Sequence, residues 1–136
     1  MNYRGKSIPL HDHPHMTVLS KLVSGSLAAR AFSLDKLDSK SNTHSLTLDA
    51  RKTDKDSAWF LTPSINNIHE FHAENTCVIF DILLPPYDEG EGRPCNYYSA
   101  VSQGEVWRLL PAEEPKELPY GVRYPGFRPV EKTVHM

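Results

Sequence analysis

Most apolar stretches of this chain are short and read as strands. "SLTLDAR" at 45–51 and "NIHEFHA" at 67–73 alternate apolar with polar residues, the period of a strand with one buried face. "TVLSKLV" at 17–23 and "SLAARAFSL" at 26–34 flank "SG", which predicts a hairpin. "SAWFLT" at 57–62 is aromatic and apolar, and "GEVWRLL" at 104–110 is a last predicted strand. "TCVIFDILL" at 76–84 is almost continuously apolar, as a strand buried on both faces would be. No segment keeps a 3.6-residue apolar repeat through three turns. "DKLDSKSN" at 35–42 and "ARKTDKDS" at 50–57 are charged and predict solvated loops. After Leu110 come Pro111, Pro115, Pro119, Pro125 and Pro129, which predict an extended tail over the surface rather than further strands. Short strands at close spacing with turn signals indicate an all-β fold, a sandwich or small barrel.

The length, 136 residues, suits a single domain, 1–136, with one modest core. Fifteen Lys and Arg stand against seventeen Asp and Glu, a net charge of −2. That balance gives no electrostatic footprint for nucleic acid or an anionic membrane. No apolar run approaches the roughly 20 residues of a membrane-spanning helix. "MNYRGKSIPL" at the N-terminus has no apolar signal core. The expectation is a monomer in the cytoplasm or nucleus, with Cys77 and Cys95 as free thiols.

Histidine is the unusual residue, seven in this short chain. "HDHPH" places His11, His13 and His15 on alternate positions. Proline pushes the residue before it toward extended backbone, so Pro14 favours an extended His13. An extended H-x-H aims two imidazoles to one side, within reach of one ion. Gly5 stands six residues before His11, and G-x5-H-x-H is the opening of the first cupin motif. His69 in "NIHEF" is the best third ligand, being on an alternating strand far away in sequence. His72, at an odd offset from it, faces the other way. His44 and His135 have polar neighbours and read as surface residues. On the residues alone, H-x-H as a solvated turn stays open.

"PLHDHPHMTVLSKLVSGSL", "NIHEF", "FDILLPPYDEGEGRPCNYY" and "YPGF" together resemble the thiol dioxygenases that include animal cysteamine dioxygenase and the plant cysteine oxidases. The resemblance runs over about residues 5–128. It implies a cupin barrel, a double-stranded β-helix of jelly-roll type, holding a mononuclear non-haem iron(II), Fe(2+). It assigns the ligands to His11, His13 and His69. The family usually has glycine at the place of His15, so His15 is not a family ligand.

Many non-haem iron oxygenases use two histidines and a carboxylate, and a typical cupin supplies a glutamate soon after H-x-H. Here "PHMTV" has no acid. Three neutral imidazoles leave the full double charge on the metal, and a substrate thiolate can provide the missing anion. The implied reaction adds both atoms of O2 to sulfur, giving a sulfinic acid. The implied substrate is a small aminothiol such as cysteamine, or a peptide with an N-terminal cysteine; in the family the latter serves oxygen sensing.

Asp81 interrupts an apolar run, where a carboxylate is costly unless paired. It reads either as a structural Asp or, following the family, as a group near the active site. Tyr87 in "LPPY" reads as loop packing or as a phenol donating to bound thiol or oxygen. Cys95 and Tyr97, two apart, share a face if extended, and in some family members the matching pair forms a thioether crosslink. Cys77, Trp59 and Trp107 read as core. Family chains carry a substantial segment ahead of the first motif, which supplies early strands. Here the match starts near residue 5, which implies an exposed sheet edge. A redox-inert cupin module binding zinc, or a shortened inactive form, is the alternative reading.

Overall fold

A computed structural model describes residues 7–34, 43–53, 58–116, 120–123 and 130–134. These residues form β1 (Ser7–His11), β2 (Thr17–Ser24), β3 (Ser26–Leu34), β4 (Thr43–Thr53), β5 (Ala58–Leu61), β6 (Ile68–Ala73), β7 (Cys77–Leu84), β8 (Tyr97–Gln103), β9 (Val106–Ala112), β10 (Tyr120–Arg123) and β11 (Val130–Val134). One short 3-10 turn lies at Glu89–Glu91. Among the described residues no helix is long and apolar enough to cross a membrane. All pairings are antiparallel. Six strands close a barrel in the order β1-β6-β3-β4-β9-β8, and a five-stranded sheet runs β10-β11-β7-β2-β5. The architecture is a cupin-like β barrel, as the strand pattern predicts.

The "SG" signal does not make a hairpin. β2 pairs with β5 and β7, and β3 with β4 and β6, so Gly25 carries the chain from one sheet to the other. Its φ is +94°, and a Cβ there would lie 2.4 Å from the Thr76 carbonyl oxygen. The β6–β7 turn crosses between the sheets beside it. Ser26 N–H donates to Asn75 Oδ1 at 2.7 Å and Glu74 N–H donates to Ser26 O at 2.9 Å. The two crossovers thus brace each other at one corner.

The proline-rich end also differs from expectation. β9 runs through Pro111 to Ala112, and β10 and β11 form a pair added to β7. Pro119, Pro125 and Pro129 lie outside the described residues. Of the loop expected over 50–57, the residues up to Thr53 are strand β4, and 54–57 lie outside the described residues. β1 and β8 escaped the sequence pattern. β7 is buried on one face and half-buried on the other, since only its inner side meets the opposite sheet.

The apolar residues sort into three clusters. Ile8, Leu22, Leu27, Ala29, Phe71, Ala73, Cys77 and Ile79 fill the space between the two sheets, with Trp59 at its margin. Met16, Val18, Leu61 and Leu83 continue it toward Tyr87. Leu10, Phe32, Ile68 and Leu109, with Leu46, Tyr98, Ala100 and Trp107, come from all six barrel strands and fill the barrel itself. Cys77 is core, as expected; Trp59 and Trp107 are half-buried and pack at the cluster edges. Register shifts between Ile8 and His11 and between Ala31 and Phe32 decide which residues enter which space. Such bulges re-aim the side chains that follow: Ile8 packs between the sheets, whereas Leu10 packs inside the barrel.

Candidate metal centre

His11, at the end of β1, stands directly opposite His69 on β6. His13 follows in the tight β1–β2 connection, where Met16 N–H donates to His13 O at 3.2 Å. The three rings converge: centroids are 4.8 Å apart for His11–His13, 4.9 Å for His11–His69 and 4.5 Å for His13–His69. One potential ligand nitrogen from each lies within 4.8 Å of the others, and all three residues are buried.

Backbone carbonyls set the tautomers. His11 Nδ1–H donates to Pro9 O at 2.7 Å, and His13 Nδ1–H donates to Asn67 O at 2.5 Å. A carbonyl only accepts, so each Nδ1 carries the proton and the lone pair falls on Nε2. This is the usual arrangement of a ligating histidine, whose second nitrogen is anchored by an outer partner. Asn67 also grips the His13 backbone: His13 N–H donates to Asn67 Oδ1 at 2.9 Å, and Asn67 Nδ2–H donates to His13 O at 2.7 Å. The three-nitrogen set fits a divalent transition metal such as iron or zinc.

His69 shares its face of β6 with Phe71, 4.5 Å away, and Ala73. The cluster therefore looks into the space between the sheets. Across that space, Cys77 and Ile79 of β7 pack with Ala73 and Phe71. The next residue on the same face is His69 on β6 and Asp81 on β7, and both are buried. Its carboxylate accepts from Ser20 Oγ at 2.6 Å. Ser20 and Asp81 are cross-strand partners, a polar pair between two apolar clusters.

Tyr87 covers the other side. Its ring is 5.7 Å from His13, and its hydroxyl donates to Asp12 O at 2.7 Å. Burial pushes the phenol well above its ordinary range, with Cys95, Asp12 and Tyr97 adding to the shift, so Tyr87 remains a proton donor. Tyr97 stands opposite His11 in register, with ring centroids 6.1 Å apart. Cys95 and Tyr97 line a common cleft of about 420 Å³ with Asn96, Tyr98, Pro111, Ala112 and Glu114.

His15 is exposed with φ of +60°, a left-handed conformation that glycine takes without a Cβ penalty. His15→Gly is expected to stabilise the fold by up to about 1 kcal/mol. Relief of roughly 1–2 kcal/mol of left-handed strain exceeds the added chain entropy of about 0.5–1 kcal/mol. A rise in Tm with unchanged metal binding checks this. His72 faces solvent beside Glu70, as expected. His44 does not lie on the surface: it is buried opposite Trp107, and its Nδ1–H donates to Ser33 O at 3.2 Å. His135 lies outside the described residues. Asn66 has φ of +53° and takes the turn conformation that asparagine tolerates. Asn67, expected with Asn66 as a turn residue, instead clamps His13, and Asp12 and Tyr98 carry no role in the sequence pattern. The available signal was an acid between two candidate ligands, turned to the opposite face.

The PCO_ADO family model matches residues 3–124. The chain is 36% identical over 112 residues to a probable 2-aminoethanethiol dioxygenase of Dictyostelium discoideum, covering 76% of this chain and 50% of that one. It is 38% identical over 119 residues to plant cysteine oxidase 1 of Arabidopsis thaliana, covering 81% of this chain and 41% of the relative. With the 2-aminoethanethiol dioxygenase of Homo sapiens it is 32% identical over 139 residues, 83% of this chain and 47% of the other. The chain thus spans about half the length of the curated relatives it matches. The match takes in β1, the β1–β2 connection, β6 and the whole Asp81–Tyr97 block, so that all three histidines fall within it, and by it the chain belongs to the PCO_ADO family.

Proposed function

We propose that the protein is an iron(II) thiol dioxygenase. The carrying observation is the ligand set: three buried imidazoles, with no carboxylate in the group, in a family whose named members are thiol and cysteine oxidases. His11, His13 and His69 would hold the metal, which supplies, when bound, a redox-active centre for a thiolate and O2. The reaction is RSH + O2 → RSO2H: sulfur loses four electrons, O2 gains them, and both oxygens end on sulfur.

The chain's own groups suit this chemistry. Three neutral imidazoles provide no negative charge, so a substrate thiolate completes the site's charge balance. Asp81, buried on β7, would attract the ammonium that cysteamine and an N-terminal cysteine share, two carbons from sulfur. Tyr87 stays a neutral phenol tied through its hydroxyl to the Asp12 carbonyl, and its ring walls the His13 side of the site. Tyr97 and Cys95 border the His11 side. The substrate class is an aminothiol or a peptide beginning with cysteine, the latter giving an oxygen-dependent signal. Both free thiols suit a reducing compartment such as the cytoplasm.

The test uses the full chain loaded anaerobically with iron(II), then given air with cysteamine or with a cysteine-initiated peptide. The expected result is O2 uptake matched by a product two oxygens heavier, and the faster substrate identifies the class. A folded, iron-containing chain that takes up no O2 with either substrate would leave a metal-binding module.

A further inference from the structure

Asp12 lies between the two ligands of the H-D-H run, on the opposite side of the strand. It is buried, 8% exposed, and faces the barrel rather than the space between the sheets. There its carboxylate accepts three hydrogen bonds: Asn96 N–H at 2.9 Å, Asn96 Nδ2–H at 3.1 Å and Tyr98 OH at 3.0 Å. Its backbone adds two more. Asp12 N–H donates to Asn96 O at 3.0 Å, and Asp12 O accepts from Tyr87 OH at 2.7 Å. Burial, followed by the Asp12 carboxylate, raises the Tyr98 phenol to about 12, which keeps it a donor.

These bonds tie together segments far apart in sequence. Asn96 and Tyr98 alternate with Cys95 and Tyr97, whose side chains lie on the histidine side of the sheet. Fixing Asn96 and Tyr98 on one face therefore fixes Cys95 and Tyr97 on the other. The same carboxylate fixes the segment that presents His11 and His13, and the Asp12 carbonyl holds the Tyr87 hydroxyl.

We propose that Asp12 is a positioning residue, joining the His11–His13 segment to the Cys95–Tyr98 segment so that both sides of the metal site hold one geometry. It acts through its neighbours and touches no reacting atom. Charge-assisted bonds of this kind are stronger and more directional than neutral ones, and outer partners of ligating histidines set both affinity and activity. The catalytic half of this inference rests on the thiol dioxygenase reading; the geometric half does not.

The experiment compares the full wild-type chain with Asp12→Asn, which keeps size but replaces an acceptor oxygen by a donor. Tyr98→Phe is the milder companion, removing one bond. Hydrogen exchange over 93–98 is measured without metal, the visible spectrum with cobalt(II), and kcat and KM with iron(II). In Asp12→Asn, exchange is expected to rise about tenfold or more, the cobalt bands to shift, and kcat to fall about tenfold or more. Tyr98→Phe should change exchange and spectrum in the same direction by less. Wild-type exchange and spectrum in Asp12→Asn would overturn the proposal, even with a lowered Tm, because Asp12 would then be an anchor of the fold alone. Should Asp12→Asn not fold, wild-type values in Tyr98→Phe overturn it. If the wild-type chain turns over no thiol, exchange and spectrum still decide Asp12's role, and only the dioxygenase reading falls.

Discussion

His69→Ala is expected to weaken metal binding by more than about 100-fold and to remove thiol oxidation. Changing outer partners of ligating histidines already costs about 10–100-fold, and in the proposed site His69 would itself be a ligand. It is the one member of the triad from another strand, facing His11 across the β1–β6 ladder. Without it, His11 and His13 would be left with two nitrogen donors from one short stretch. The imidazole is buried against Phe71, so alanine also leaves a small cavity, but a neutral polar ring is removed with it. The metal-free fold should therefore persist. Anaerobic iron(II) titration against a competing chelator, with Tm of the metal-free protein, separates the two effects. Unchanged affinity would remove His69 from the ligand set.

Asn67→Ala should have the next largest effect and act on both stability and metal. The side chain holds His13 N–H, His13 O and Thr62 O, at 2.9, 2.7 and 2.9 Å. Asn67 is only 3% exposed, so water does not readily replace these bonds. Leaving buried groups unsatisfied costs about 1–3 kcal/mol each at most sites, and a total loss of about 2–4 kcal/mol follows if part of the set relaxes. The bond from His13 Nδ1 to the Asn67 carbonyl survives in principle. The segment carrying that carbonyl would nevertheless be released from the β1–β2 connection, and metal affinity should drop about 10–100-fold. Thermal unfolding and the chelator titration check this. A lowered Tm with wild-type affinity would make Asn67 a structural clamp without influence on the site.

The sequence exposed the parts that depend on local pattern. Alternation marked β4 and β6, and the H-x-H spacing with a distant histidine marked the triad. What it hid depends on register and on tertiary pairing. Strict alternation from Ile8 would put Leu10 on the side of Ile8 and His11 on the other. The shift between Ile8 and His11 reverses this, placing Leu10 inside the barrel and turning His11 toward His69. Gly25 looked like a hairpin turn because a two-residue signal cannot reveal which sheet the next strand joins. The last strands were obscured by prolines that fall between them in the sequence. His44 looked exposed among polar neighbours, yet β9 covers it. Asp12 is not legible in the sequence because its five hydrogen bonds join it to three residues, Tyr87, Asn96 and Tyr98, more than seventy positions away.

The central claim is that three histidines and a substrate thiolate together direct both atoms of O2 to sulfur. It is tested most directly by supplying isotopically labelled O2 to the iron(II)-loaded chain with its faster thiol substrate and weighing the product. The account predicts a sulfinic acid in which both oxygens carry the label. A disulfide product, or a product with one labelled oxygen and one from water, would contradict it.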